Sequence, residues 1–129
     1  MTNNPKEAAG SVKCPSSCVP QGVIMEIGLG MMEGACKYGS HNYRETPISA
    51  SVYFDALHRH MTAWWEGEDI DPDSGLNHVT KAITTLVVLR DAMLNDMLIN
   101  DRPKPMPPLW MASMNAKAKE IAERYAAKK

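Results

Sequence analysis

The stretch from Gly75 to Asn100 constrains the fold more than any other. Leu76, Val79, Ile83, Leu86, Val87, Met93, Leu94, Met97 and Leu98 recur there at helical spacing, and no proline interrupts them. Apolar residues at intervals of three and four lie on one face of an α-helix. The spacing predicts a helix over 75–100, with Asp73 or Ser74 as its N-cap. A helix of this length with so broad an apolar face has to be covered by other helices.

The rest of the chain supplies them. Ile24, Met25, Ile27, Leu29, Met31 and Met32 predict a first helix from about Val23 to Tyr38, closed by Gly39. Three glycines inside it each cost about 1 kcal/mol relative to alanine. Ser49 or Ser51 is placed to cap a second helix running to Glu66, with Phe54, Leu57, Met61 and Trp64 on its apolar stripe. Asp55, Arg59, Thr62 and Glu66 form the opposite, polar stripe. Gly67 ends that helix, and an acidic turn leads into the long one. Residues 1–19 are polar and read as a flexible arm, 20–101 as the helical domain, and 102–129 as a Pro-rich linker with a C-terminal helix over Met111–Ala127. The expected class is all-α. Three or four helices cannot cover such faces alone, so a homodimer or homotetramer is expected to complete the bundle.

Bulk properties exclude several classes. With 129 residues the chain can bury one core. A net charge of −1 gives no general grip on nucleic acid. No apolar run approaches the roughly 20 residues of a membrane span. Cys14, Cys18 and Cys36 are odd in number and read as reduced thiols of a cytoplasmic protein. Cys14-x-x-x-Cys18 has the spacing of half a zinc site and lacks a second pair.

Chemistry concentrates in two places. Glu66, Glu68, Asp69, Asp71 and Asp73 crowd the turn between the second and third helices. That density suits either a solvated, capping-rich turn or a hard divalent cation, which prefers oxygen ligands. His60 and His78 flank the turn, and an antiparallel helix pair would bring them to one end of the bundle. Near the end of the first helix, Lys37, Asn42 and Arg44 are donors suited to phosphate, while Glu33 and Lys37 could equally form a surface ion pair.

The ordered string Glu33-x-x-x-Lys37-Tyr38-Gly39-x-x-Asn42-Tyr43-Arg44, followed by Tyr53-x-x-Ala56-x-x-Arg59-His60-x-x-Ala63-Trp64-x-x-Gly67-Glu68-x-x-Asp71-x-Asp73-Ser74-Gly75-x-x-His78, resembles a phage-associated group of MazG-like dATP/dGTP diphosphohydrolases. The resemblance covers about residues 20–95. It implies an all-α nucleoside triphosphate pyrophosphohydrolase, completed by subunit association and acting in the host cytoplasm. It also implies two or three Mg²⁺ or Mn²⁺ ions and attack by water between the α and β phosphates. A deoxyribonucleoside triphosphate is the implied substrate, with dGTP first and GTP or dATP possible, feeding 2-aminoadenine nucleotide synthesis. The wider superfamily carries E-x-x-E and E-x-x-D pairs, but here Arg59 and His60, and His78-x-x-Lys81, stand at the nearest positions. Ligands are therefore sought among this chain's own groups: Glu33, Glu68, Asp71 and His78 for metal, Glu68 and His60 for catalysis. Lys37, Asn42, Arg44 and Arg59 are assigned to substrate, with Tyr38, Tyr43 or Trp64 stacking on the base. The alternative is a non-catalytic helical nucleotide sensor or phage interaction protein.

Overall fold

A computed structural model describes residues 3–126. The order is α1 (Pro5–Gly10), α2 (Gln21–Tyr38), β1 (Ile48–Ser49), α3 (Ala50–Trp65), α4 (His78–Leu94), β2 (Leu98–Ile99) and α5 (Trp110–Ala126), with 3-10 turns at Ser16–Cys18 and Asn42–Arg44. The expected all-α class holds. The two-residue strands, which pair in parallel with Ile48 opposite Leu98, were not expected. The polar arm is exposed throughout and contains α1, capped by the Asn4 side chain. The expected end of the C-terminal helix at Ala127 lies outside the described residues.

Helix α4 is the centre, packed between α2 and α3. Its contact residues are small: Thr80, Ala82, Thr84 and Ala92 are buried, each 5 % exposed or less. Small residues let helix axes approach closely, and Gly30 of α2 takes this furthest. A Cβ added there would lie 2.5 Å from Thr84 Cγ2. The glycine that weakens α2 as a helix is the one that seats it.

The long helix is shorter than its pattern. Asn77, not Asp73 or Ser74, caps α4, accepting from the Val79 N–H at 2.8 Å. At the far end Asp96 adopts φ 57°, and the chain turns into β2. Leu98 therefore lies in a strand with Met97 just before it, and the pairing of Ile48 N–H with the Met97 carbonyl at 2.9 Å satisfies backbone that a longer helix would have used.

The apolar stripe of α3 is also displaced. Phe54, Met61 and Trp64 are exposed, at 61 %, 38 % and 38 %. The inward face is Ala50, Tyr53, Ala56, Leu57, His60 and Ala63. Ser49 stands at the N-cap position without a capping bond. The Asp101 carboxylate supplies it, accepting from Ser51 N–H at 2.8 Å and from the Ser51 hydroxyl.

No large side chain among the described residues is fully buried. The accessible surface is 10378 Å². A compact monomer of 14.3 kDa would expose about 6,800 Å².

Candidate active site

The acidic turn is built by its own backbone. Gly67, at φ 101°, stops α3 in a conformation that side chains with a Cβ rarely adopt. Asp71 N–H then bonds to Leu76 O, Gly75 N–H to Asp71 O and His78 N–H to Asp69 O, each at 2.8 Å. The Asp71 carboxylate is buried and accepts from the Ser74 hydroxyl at 2.7 Å and from the Asp73 and Ser74 amides at 3.3 Å. Burial pushes this carboxyl up, but those three bonds outweigh it and hold it below the usual carboxylate range.

This closure delivers Glu68 and His78 to the inward face of α3. His78 is 4 % exposed. Its Nε2 lies 2.6 Å from Glu68 Oε1, and its Nδ1 lies 2.9 Å from His60 Nδ1. The two histidines meet at one end of the bundle, as the antiparallel reading required. With both rings neutral, the bond pattern gives the tautomers. A carboxylate only accepts, so His78 Nε2–H donates to Glu68. His78 Nδ1 is then the acceptor, and His60 Nδ1–H donates to it. His60 Nε2 is left with a lone pair. Burial lowers the His60 pKa, Asp71 partly opposes this, and His78, Lys81 and Arg59 lower it further. The result is a neutral imidazole backed by a carboxylate through a second ring, an arrangement that can accept a proton.

A second network adjoins the first. Lys81, one turn beyond His78 on α4, donates to Glu33 Oε1 at 2.7 Å. Lys37 lies 3.7 Å from Glu33 Oε2 and donates to Asp73 Oδ2 at 2.9 Å. The Asp73 hydrogen bond, then the Glu33 charge, raise the Lys37 pKa against desolvation. The expected Glu33–Lys37 pair is present as one edge of a four-residue cluster. Nearby, Thr80 donates to Glu26 at 2.9 Å.

The donors after α2 divide. Asn42 lines a cavity of about 500 Å³ between α2, the 39–43 loop and α4, together with Tyr38, Tyr43, Tyr53, Lys81 and Thr85. His41, at its lip, holds the left-handed conformation at φ 57°. Arg44 instead makes a bidentate pair with Asp91, at 2.8 and 3.0 Å. Arg59 is exposed on α3, and Trp64 lies outside the residues lining this cavity.

The carboxylates suit a hard divalent cation in kind. Glu33 and Asp73 are held by ammonium groups, and Glu68 by His78, so positive or donor groups already stand where a cation would neutralise charge. Asp71 and His78 use their polar atoms inside the chain. Lys81, Asp73 and Tyr53 were not among the residues assigned from sequence. Lys81 had a signal, since it broke the superfamily spacing. Asp73 and Tyr53 stood within the resemblance string with no role.

No curated relative and no solved structure matches the chain. The family described as dATP/dGTP diphosphohydrolase, N-terminal, matches residues 3–102. That span takes in α1 and every residue of both networks. The chain that folds into this helical layer, with its paired histidines and its lysine-held carboxylates, belongs to the dATP/dGTP diphosphohydrolase family.

Proposed function

We propose that the protein is a divalent-cation-dependent pyrophosphohydrolase. It converts dGTP, with GTP or dATP as further substrates, to the monophosphate and pyrophosphate, feeding modified-purine nucleotide synthesis in a phage-infected cell. Family membership supports hydrolysis of purine deoxyribonucleotides. The observation that carries the finer reading is the pair of polar networks, Glu33–Lys37–Lys81 and Glu68–His78–His60, set one turn of α4 apart, with Lys81 also lining a cavity of about 500 Å³.

In this reading the nucleoside occupies the cavity, with Tyr38 and Tyr43 stacking on the base and Asn42 contacting its polar edge. Lys37 and Lys81 neutralise the phosphates. Glu33, Glu68 and Asp73 would hold magnesium or manganese, two or three ions, which would supply charge neutralisation and lower the pKa of a bound water. Asp71 and His78 position these groups rather than ligating, because their polar atoms are already committed. His60 Nε2 takes the proton from the attacking water. Arg44 holds the 42–44 turn through Asp91, and Arg59 meets substrate from the open side of α3. A dimer or tetramer completes the bundle.

A nucleotide panel with Mg²⁺ and with Mn²⁺, with products separated by ion-exchange chromatography, tests this. The expected products are dGMP and pyrophosphate. Release of orthophosphate would replace the reading with another phosphatase chemistry. Binding of dGTP without turnover would make the protein a sensor.

A further inference from the structure

Helix α5 is amphipathic and stands away from the rest of the chain. Trp110, Met114, Ala118, Ile121 and Tyr125 follow one stripe, while Lys117, Lys119, Glu120, Glu123 and Arg124 lie on the other side and pair along the helix. Among the described residues α5 has no extensive packing against another helix. Trp110, Met114, Ile121 and Tyr125 are each 45–49 % exposed. A lone helix of 17 residues is marginal in water, since helices shorter than about 12–15 residues barely persist and longer ones draw most stability from packing. The stripe therefore needs a surface.

The chain offers such a surface. A groove of about 770 Å³ opens between the start of α3, the end of α4 and the linker, lined by Phe54, Leu89, Met93 and Leu98 on one side and by Pro103, Pro105 and Met106 on the other. Asp101, bonded to Ser51, pins the root of the linker at the rim of this groove. From there residues 101–109 carry Pro103, Pro105, Pro107 and Pro108. Residues 103–106 follow the groove as part of its lining, and 107–109 join it to α5. The surface excess over a compact monomer is roughly 3,500 Å². A stable interface buries about 1,200–2,000 Å² in total, so reciprocal seating of two arms falls within what the chain exposes.

We infer that α5 is an exchange arm, which lays its Trp110–Tyr125 stripe into the groove of a second copy of this chain. The family match ends at residue 102, so the arm is an addition to the matched domain. The inference does not depend on the catalytic reading.

A photoreactive benzophenone amino acid at position 114 of the full chain tests it. Irradiation should give a covalent product of twice the chain mass on a denaturing gel, with the cross-link mapping to α3 or α4. Introducing Met93→Glu in the same chain should reduce that product several-fold while far-UV circular dichroism shows the helices intact. Cross-links confined to the monomer band, or none at micromolar concentration, would overturn the proposal. So would an undiminished double-mass product that maps outside the groove.

Discussion

Lys81 replaces an acid that the superfamily spacing leads one to expect, and in doing so it settles the charge of Glu33. Both side chains are mostly buried, 16 % and 21 % exposed, and meet at 2.7 Å. Removing the ammonium leaves a carboxylate short of its closest donor, which costs about 1–3 kcal/mol. Lys81→Met is therefore expected to lower the urea midpoint by a corresponding amount, and to raise the KM for dGTP as a phosphate contact is lost. Manganese affinity without nucleotide should rise, because its competitor for Glu33 is gone. Calorimetric titration with MnCl₂ that shows weaker binding would remove Lys81 from the site. His60 gives a pH signature. Its folded pKa lies below the ordinary histidine value, so the unfolded chain binds a proton that the folded one refuses. Stability from this group is full above about pH 6.5 and declines as pH falls from there to the depressed folded value. The melting temperature should drop between about pH 7 and 5, and His60→Gln should flatten that slope. Asp71, held low, contributes its loss only further down, below the usual carboxylate range.

Among the elements, the seam between α2 and α4 is the least tolerant. A Cβ at position 30 would sit 2.5 Å from the Thr84 methyl. Gly30→Ala should destabilise by about 1–3 kcal/mol through overpacking, less the roughly 1 kcal/mol of helix propensity it gains. Thr84→Ser removes the methyl that clashes. The double variant should recover most of the loss in chemical denaturation, and additive losses would show that the clash is not the cause. This seam also explains what the sequence made legible. Helix existence followed from spacing, and Gly39 and Gly67 ended helices where expected. The inward faces did not follow. Spacing ranks residues by hydrophobicity, whereas close approach of helices selects small ones, so Ala82, Thr84 and Ala92 took the core and Phe54 and Met61 were left outside. The helix caps were missed for a related reason. Asp101 lies fifty residues from the Ser51 amide it satisfies, a separation no local motif encodes. Of the site, His60 and His78 were legible because two helices bounding one turn must share an end. Arg44 was misleading, since its donors suit a phosphate and a carboxylate alike, and Asp91 is a carboxylate within reach.

At the scale of the whole molecule the layer of α2, α4 and α3 has two sides and covers neither. Val23, Leu29, Met32, Phe54, Met61, Trp64, Leu86 and Met93 are all exposed. Hiding a third of the excess would bury about 1,200 Å², the size at which stable interfaces begin. Light scattering at micromolar concentration should report a dimer or larger. A single-chain mass with full turnover would show that the layer works uncovered. Among the described residues no helix is long and apolar enough to cross a membrane.

The acidic turn carries a kinetic consequence. Its amides are tied to its own carbonyls, at 2.8 Å for Asp71, Gly75 and His78, so the backbone of the turn is set by folding. If a cation binds here as proposed, it would meet no loop to be ordered, and its capture would be timed by how fast the ion gives up its own water. Magnesium dehydrates reluctantly, so loading with it should be slow beside manganese, with the protein contributing little to the difference.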